Sequence, residues 1–230
     1  MKKVAIFDID GTIFRSSLLI EITEALIQAG IFPTRAQKLY HNAYRNWLNR
    51  KDTYHKYIRG VINAFDGNIK GVDHNAFQKI AEDVVEFHQN RVYRHTRDLV
   101  KELKKKKYYI IAISNSPKEL VDAFCIAYGF DKSYGRIYEV SKKGKFTGTV
   151  LHLDLVSDKA KFLKHIIAKE ELSLKDSVGV GDSEADIPFL KLVDKPICFN
   201  PNGKLYKHAQ RAKWEVIVER KDVIYHLHNE

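Results

Sequence analysis

The 230-residue chain has only two cysteines, Cys125 and Cys198, each inside an apolar segment and neither in a CxxC pair. That scarcity excludes a disulfide framework and a cysteine zinc site, and marks both residues as expected core positions. No uncharged apolar run approaches the ~18 residues that cross a bilayer. The opening MKKVAIF starts like a secretory leader, but Asp8 and Asp10 end it too early. A soluble cytoplasmic protein without a membrane partner is expected. Internal repeats, low-complexity tracts and Pro/Gly-rich linkers are also missing. GVGDSE, residues 179–184, lacks the third glycine of a dinucleotide fingerprint, and neither GxxxxGKS nor GxxxxGKT occurs. DGNIKG, residues 66–71, starts like a calcium loop but puts Phe77 where a glutamate is required, so it reads as a turn between helices. His226 and His228 lie near a terminus expected to fray and are not read as metal ligands.

Hydrophobic residues make up 44% and charged residues 30%, as in ordinary globular proteins. The 39 Lys and Arg against 29 Asp and Glu give a net charge of +10, which attracts anionic ligands without specifying one. The densest basic run, Lys104 to Lys107, falls where a helix should end and cations suit its dipole. No aromatic residues are interleaved with it as base-stacking platforms, so nucleic acid is not the expected partner.

Four apolar runs read as buried parallel strands: Lys3 to Asp10, Tyr108 to Ser114, Ser177 to Asp182 and Pro196 to Asn200. Helical patterns separate them over residues 98–107, 117–128 and 158–171, the second opened by Ser116 as N-cap with Glu119 completing a capping box. Nearly a hundred residues lie between the first two strands, far more than a crossover needs. That stretch is helical in pattern throughout, including a capping box from Thr34 to Gln37. Residues 138–150 alternate around Lys142, Lys143 and Gly144 like a β-hairpin. The expected fold is α/β: a Rossmann-like three-layer core with a parallel sheet over 1–15 and 92–230, with an all-helical cap domain over 16–91.

Ligands of such sheets collect beyond the carboxyl ends of the strands. Asp8, Asp10, Gly11 and Thr12 follow the first strand, Ser114 and Asn115 the second, and Asp182 and Asp186 the third, while Lys159 opens a helix that could face the same crevice. Four carboxylates gathered there would repel one another unless a cation sat among them. An all-oxygen ligand set that must also accommodate phosphate suits Mg2+. One carboxylate, Asp8 by its position, can then attack phosphorus to give an aspartyl-phosphate, with Lys159, Ser114 and backbone donors neutralising phosphoryl oxygens. Asp10, two residues on, is placed for proton transfer. Asp182 is the better direct metal ligand, and Asp186 would ligate through water or orient Lys159.

The order DIDGT, ISNS, a lysine at a helix start and GDSEAD resembles the haloacid dehalogenase (HAD) superfamily of aspartate-nucleophile, magnesium-dependent phosphatases. The position of the helical insert and the tail FNPNGKLYKHAQRAKWEV are similar to its phosphoserine-phosphatase-like branch. The resemblance implies Asp8 as nucleophile, Asp10 as general acid/base, Ser114 and Lys159 as phosphate ligands, and Asp8, the Asp10 carbonyl and Asp182 around magnesium. Asp10 favours a phosphatase, because dehalogenases lack an aspartate there and ion-pumping ATPases carry threonine. Three positions depart from the phosphoserine pattern: Ser17 replaces an acidic residue, Val61 falls where a cap arginine is expected with Arg59 nearby, and Ala185 replaces an asparagine. The cap aromatics Trp47, Tyr54 and Tyr57 can be either specificity contacts or core. The expected activity is hydrolysis of a small phosphorylated metabolite. The rivals are phosphoryl transfer through the same intermediate and a basic nucleic-acid-binding protein with a vestigial site.

Overall fold

The protein is described from a computed structural model covering residues 2–152 and 158–227; His228 lies outside the described residues. Its centre is a seven-stranded sheet in the order β3-β2-β1-β6-β7-β8-β9. The strands are β1 (Lys3–Phe7), β2 (Tyr109–Pro117), β3 (Lys132–Arg136), β6 (Ser173–Gly181), β7 (Lys195–Phe199), β8 (Glu215–Arg220) and β9 (Val223–Leu227). All neighbours pair parallel except β8 with β9. A separate antiparallel hairpin is formed by β4 (Tyr138–Val140) and β5 (Phe146–Val150).

The unbroken apolar run of β1 has a simple cause, since both of its faces are covered. Val4 and Ile6 pack with Leu163 and Ile166 of α7 (Lys159–Lys169), Phe189 of α8 (Ile187–Leu190) and Leu205 of α9 (Gly203–Ala212). Ala5 and Phe7 face the other way, toward Val100 and Leu103 of α5 (Arg94–Lys105) and Leu120 and Phe124 of α6 (Lys118–Ala127). These three layers match the expected core. Both cysteines are free and buried, and α5 ends at Lys105 within the basic run.

Between β1 and α5 the chain forms α1 (Leu18–Gln28), α2 (Lys38–Leu48), α3 (Tyr54–Asn68) and α4 (His74–His88). Its two connections pair with each other: Arg15 N–H donates to the Arg91 carbonyl at 2.9 Å and Tyr93 N–H to Ile13 at 2.9 Å. The hairpin, assigned by sequence to the α/β part, packs instead on these helices. Phe146 exchanges backbone hydrogen bonds with Gly71 and Val72 at 2.8 and 2.9 Å, and its ring sits edge-on to Phe77 at 5.1 Å.

Two expected capping boxes are absent. β2 runs on through Ser116 to Pro117, which takes the N-cap position of α6 without a side-chain bond. Thr34–Gln37 is a short 3-10 turn capped by Pro33. Among the described residues no helix is long and apolar enough to cross a membrane.

Candidate active site

β1 lies between β2 and β6, so the connections leave its two sides in opposite directions and open a crevice at the carboxyl ends of these three strands. A cavity of about 920 Å³ occupies this end. Asp8, Asp10, Asn115, Lys159 and Asp182 line its floor, and residues of α1 to α3 form its roof.

Lys159 is buried and divides its ammonium between two carboxylates, Asp8 Oδ1 at 2.5 Å and Asp186 Oδ1 at 2.6 Å. Asp158 fixes the start of its helix by accepting from Ala160 and Lys161 N–H at 2.9 and 3.1 Å. Asp186 Oδ2 accepts from the N–H groups of Asp182 and Ser183 at 3.1 and 3.0 Å, so it shapes the turn that carries Asp182. Sequence left open whether Asp186 would ligate through water or orient Lys159; it stands 2.6 Å from the Lys159 ammonium and also within the carboxylate cluster.

Asp10 belongs to a different set of contacts. Its Oδ2 accepts from Ser114 Oγ at 2.6 Å and Ser116 Oγ at 2.9 Å, and its Oδ1 from Leu18 N–H at 2.6 Å. Both oxygens of the Asp10 side chain are thereby engaged, and the side chain is not among the carboxylates that converge. Ser116, read from sequence as a helix cap, belongs to the site. Ser114 is buried with its hydroxyl on Asp10.

The Gly11–Thr12 turn is committed to itself. Gly11 N–H donates to Phe14 and Ser16 carbonyls at 2.9 and 3.0 Å, and Thr12 N–H to Ile9 at 3.2 Å. Thr12 is fully buried, with its carbonyl accepting from Thr96 Oγ1 at 2.8 Å. The backbone N–H groups of these two residues are therefore spent on the turn, while the buried Thr12 hydroxyl has no hydrogen-bond partner among the described residues. Gly11 has a second reason to be glycine: at φ +84° a Cβ would stand 2.4 Å from Asp182 Oδ2.

Asp8, Asp182 and Asp186 bring carboxylate oxygens within 4.8 Å of one another. One ammonium among three carboxylates leaves an excess of negative charge. Burial pushes the Asp8 carboxyl up to about 8, although Lys159 pulls it down. Burial also lifts Asp182 well above the ordinary carboxylate range, with Asp8 and Asp186 adding to the rise. Burial works against the charge on Lys159, but Asp186 and Asp8 outweigh it and hold its pKa above the usual lysine value. A hard divalent cation with oxygen ligands fits this donor set.

Sequence reasoning missed part of the roof. Val61 is buried inside the helices and Arg59 does not reach the cavity, whereas Arg50, just after α2, lines it. Its backbone is left-handed, φ 58°, and nothing in the local pattern signals that turn. Ser17 does line the cavity, as do Trp47 and Tyr54, while Tyr57 is core. Asn202, Lys204 and Lys207 from the start of α9 complete the rim.

A carboxylate cluster thus lies at the switch point of a mostly parallel sheet, roofed by an inserted helical layer. The profile of the haloacid dehalogenase-like hydrolase family matches residues 5–191, and the chain belongs to that family. It is 25% identical over 224 residues to a phosphoserine phosphatase of Methanocaldococcus jannaschii, covering 96% of this chain and 94% of the relative. It is 24% identical to a histidinol-phosphatase of Neisseria meningitidis serogroup C (strain 8013), covering 94% of this chain and 99% of the relative. The crystal structure of a substrate-bound phosphoserine phosphatase complex shares the fold with a TM-score of 0.62 and 22% identity, over 96% of this chain and 95% of that one. The resemblance to the phosphoserine-phosphatase-like branch is thus borne out.

Proposed function

We propose that the protein is a magnesium-dependent phosphatase that hydrolyses a small phosphomonoester through an aspartyl-phosphate on Asp8. The observation that carries this reading is the separation of two carboxylates at one cavity floor: Asp8 is held on Lys159 at 2.5 Å, and Asp10 is held apart by three donors. Two acids in different settings can take different roles.

An Asp8 carboxylate oxygen attacks phosphorus, the P–O bond to the alcohol breaks, and Asp10 donates its proton to the departing alkoxide. Water then attacks the acyl phosphate, Asp10 takes the water's proton, and phosphate leaves with Asp8 regenerated. Lys159 orients Asp8 and offers positive charge to the phosphoryl oxygens, and Asn115, exposed on the cavity floor, can donate to them. Asp8, Asp182 and the Asp10 carbonyl would hold Mg2+, with Asp186 behind them. When bound, the ion neutralises the carboxylate cluster and the charge of the phosphoryl group.

Residues 16–91 act as the cap domain over a core of 1–15 and 92–230. The paired connections at Ile13–Arg15 and Arg91–Tyr93 support that division, and closure would exclude water from the reacting groups. The substrates in the relatives' names, phosphoserine and histidinol phosphate, open the list of small phosphorylated metabolites to be screened.

The test is hydrolysis of a generic aryl phosphate with magnesium by the intact protein and by Asp8→Asn. Loss of a covalent nucleophile should lower kcat by roughly 10⁴–10⁶-fold. Full activity in Asp8→Asn would overturn the mechanism.

A further inference from the structure

The cavity walls constrain the leaving group. Tyr54, Ile58 and Ile62 recur at four-residue spacing along α3 and line the cavity, while Tyr57, Val61 and Phe65 of the same helix are buried among the cap helices. One face of α3 is thus core and the adjacent face is an apolar roof. Leu19 from α1 and Trp47 from α2 extend that roof over the same space that Asp8 opens into. The ring of Trp47 is fixed from behind, stacked on Tyr57 at 5.6 Å with a 16° interplanar angle.

The two wall carboxylates are both engaged. Asp52 is tied to Lys56 at 2.8 Å, and Glu184 accepts from Lys204 at 3.0 Å as well as from Asn202. Ser17 contributes a hydroxyl rather than a carboxylate. Among the described residues the roof therefore offers no uncommitted carboxylate to a cationic leaving group; the other charged side chains of the wall, Arg50 and Lys207, are cationic, so the amine of a small zwitterion would lose hydration without gaining an anionic partner. The volume, about 920 Å³, lies in the range of roughly 300–1,000 Å³ that buries drug-sized ligands and exceeds what a phosphorylated three-carbon alcohol fills.

We infer that this site takes the phosphate ester of a bulky apolar or aromatic alcohol, with Trp47, Tyr54, Ile58 and Ile62 as its specificity contacts. The inference rests on the phosphatase reading above. Burial of the leaving group against this roof supplies binding energy that a short polar alcohol cannot draw on.

The experiment compares kcat/KM of the intact protein with magnesium for 3-phenylpropyl phosphate, O-phosphoserine and glycerol 3-phosphate. All three are alkyl esters, so leaving-group reactivity differs little. Preference for the phenylpropyl ester by about tenfold or more is expected. In the double variant Ile58→Ala/Ile62→Ala that preference over the glycerol ester should shrink about tenfold, and in Ile58→Leu/Ile62→Leu it should largely return. Equal or greater activity on phosphoserine or glycerol 3-phosphate overturns the inference and leaves the phosphatase reading intact, and the intact protein alone decides this. An unaltered preference in the folded double variant also overturns it. Failure to turn over any of the esters, and an aryl phosphate as well, removes the phosphatase reading together with the inference.

Discussion

Asp186 serves two neighbours at once. One oxygen steadies a buried ammonium and the other gathers the N–H groups of the turn that presents Asp182. This explains how an acidic residue five positions beyond the end of β6 stays fully buried. At the same scale, Gly11→Ala would place a methyl group 2.4 Å from Asp182 Oδ2 on a left-handed backbone. Displacing Asp182 should cost about 100-fold in kcat, measured by steady-state kinetics beside a thermal melt to separate geometry from unfolding. Ser116→Ala removes one of three donors to Asp10. The expected loss is about tenfold in kcat, ~1.4 kcal/mol, with KM nearly unchanged. An unaffected kcat would show that Ser114 and Leu18 suffice to hold the acid. The acidic residues and Lys159 were legible in sequence because strand ends converge in this topology. Ser116 was not, because the Ser-Pro-x-Glu pattern is a good helix start and the strand overrode it.

At the scale of elements, the hairpin β4–β5 acts as an added edge to the helical insert rather than to the main sheet. Phe146→Ala should therefore destabilise the protein by about 3–5 kcal/mol, read as a lower midpoint in chemical denaturation. A change below about 0.5 kcal/mol would mean that the hairpin contributes nothing to the insert's stability. The four strands covered on both faces were readable as apolar runs. β3, with the sequence KSYGR, gave no such signal because it is a polar edge strand. β8 and β9 were missed for a related reason: β8 buries only Val216 and Ile217, β9 is mostly exposed, and no Gly marks the antiparallel turn at Lys221 and Asp222.

For the molecule as a whole, the charge excess at the active site links stability to pH and cation. Asp8 is pushed up to about 8 and Asp182 is raised too, so without a divalent ion the native state binds more protons than the unfolded chain. Stability is then greatest below about pH 4 for these groups and falls as pH rises toward 8. Magnesium should oppose that loss: at a hundredfold excess over Kd it adds about 2.7 kcal/mol, or roughly 5–10 °C in Tm for a chain of this size. Melting curves at pH 5 and pH 8 with and without magnesium check this, and an equal shift at both values would contradict it. The net charge of +10 adds a kinetic counterpart, a kcat/KM for phosphate esters that falls with added salt.

The helical insert is tied back at the paired segments 13–15 and 91–93, and it also carries the hairpin that follows β3. A swing of the insert that kept these bonds would carry the hairpin along with the helices.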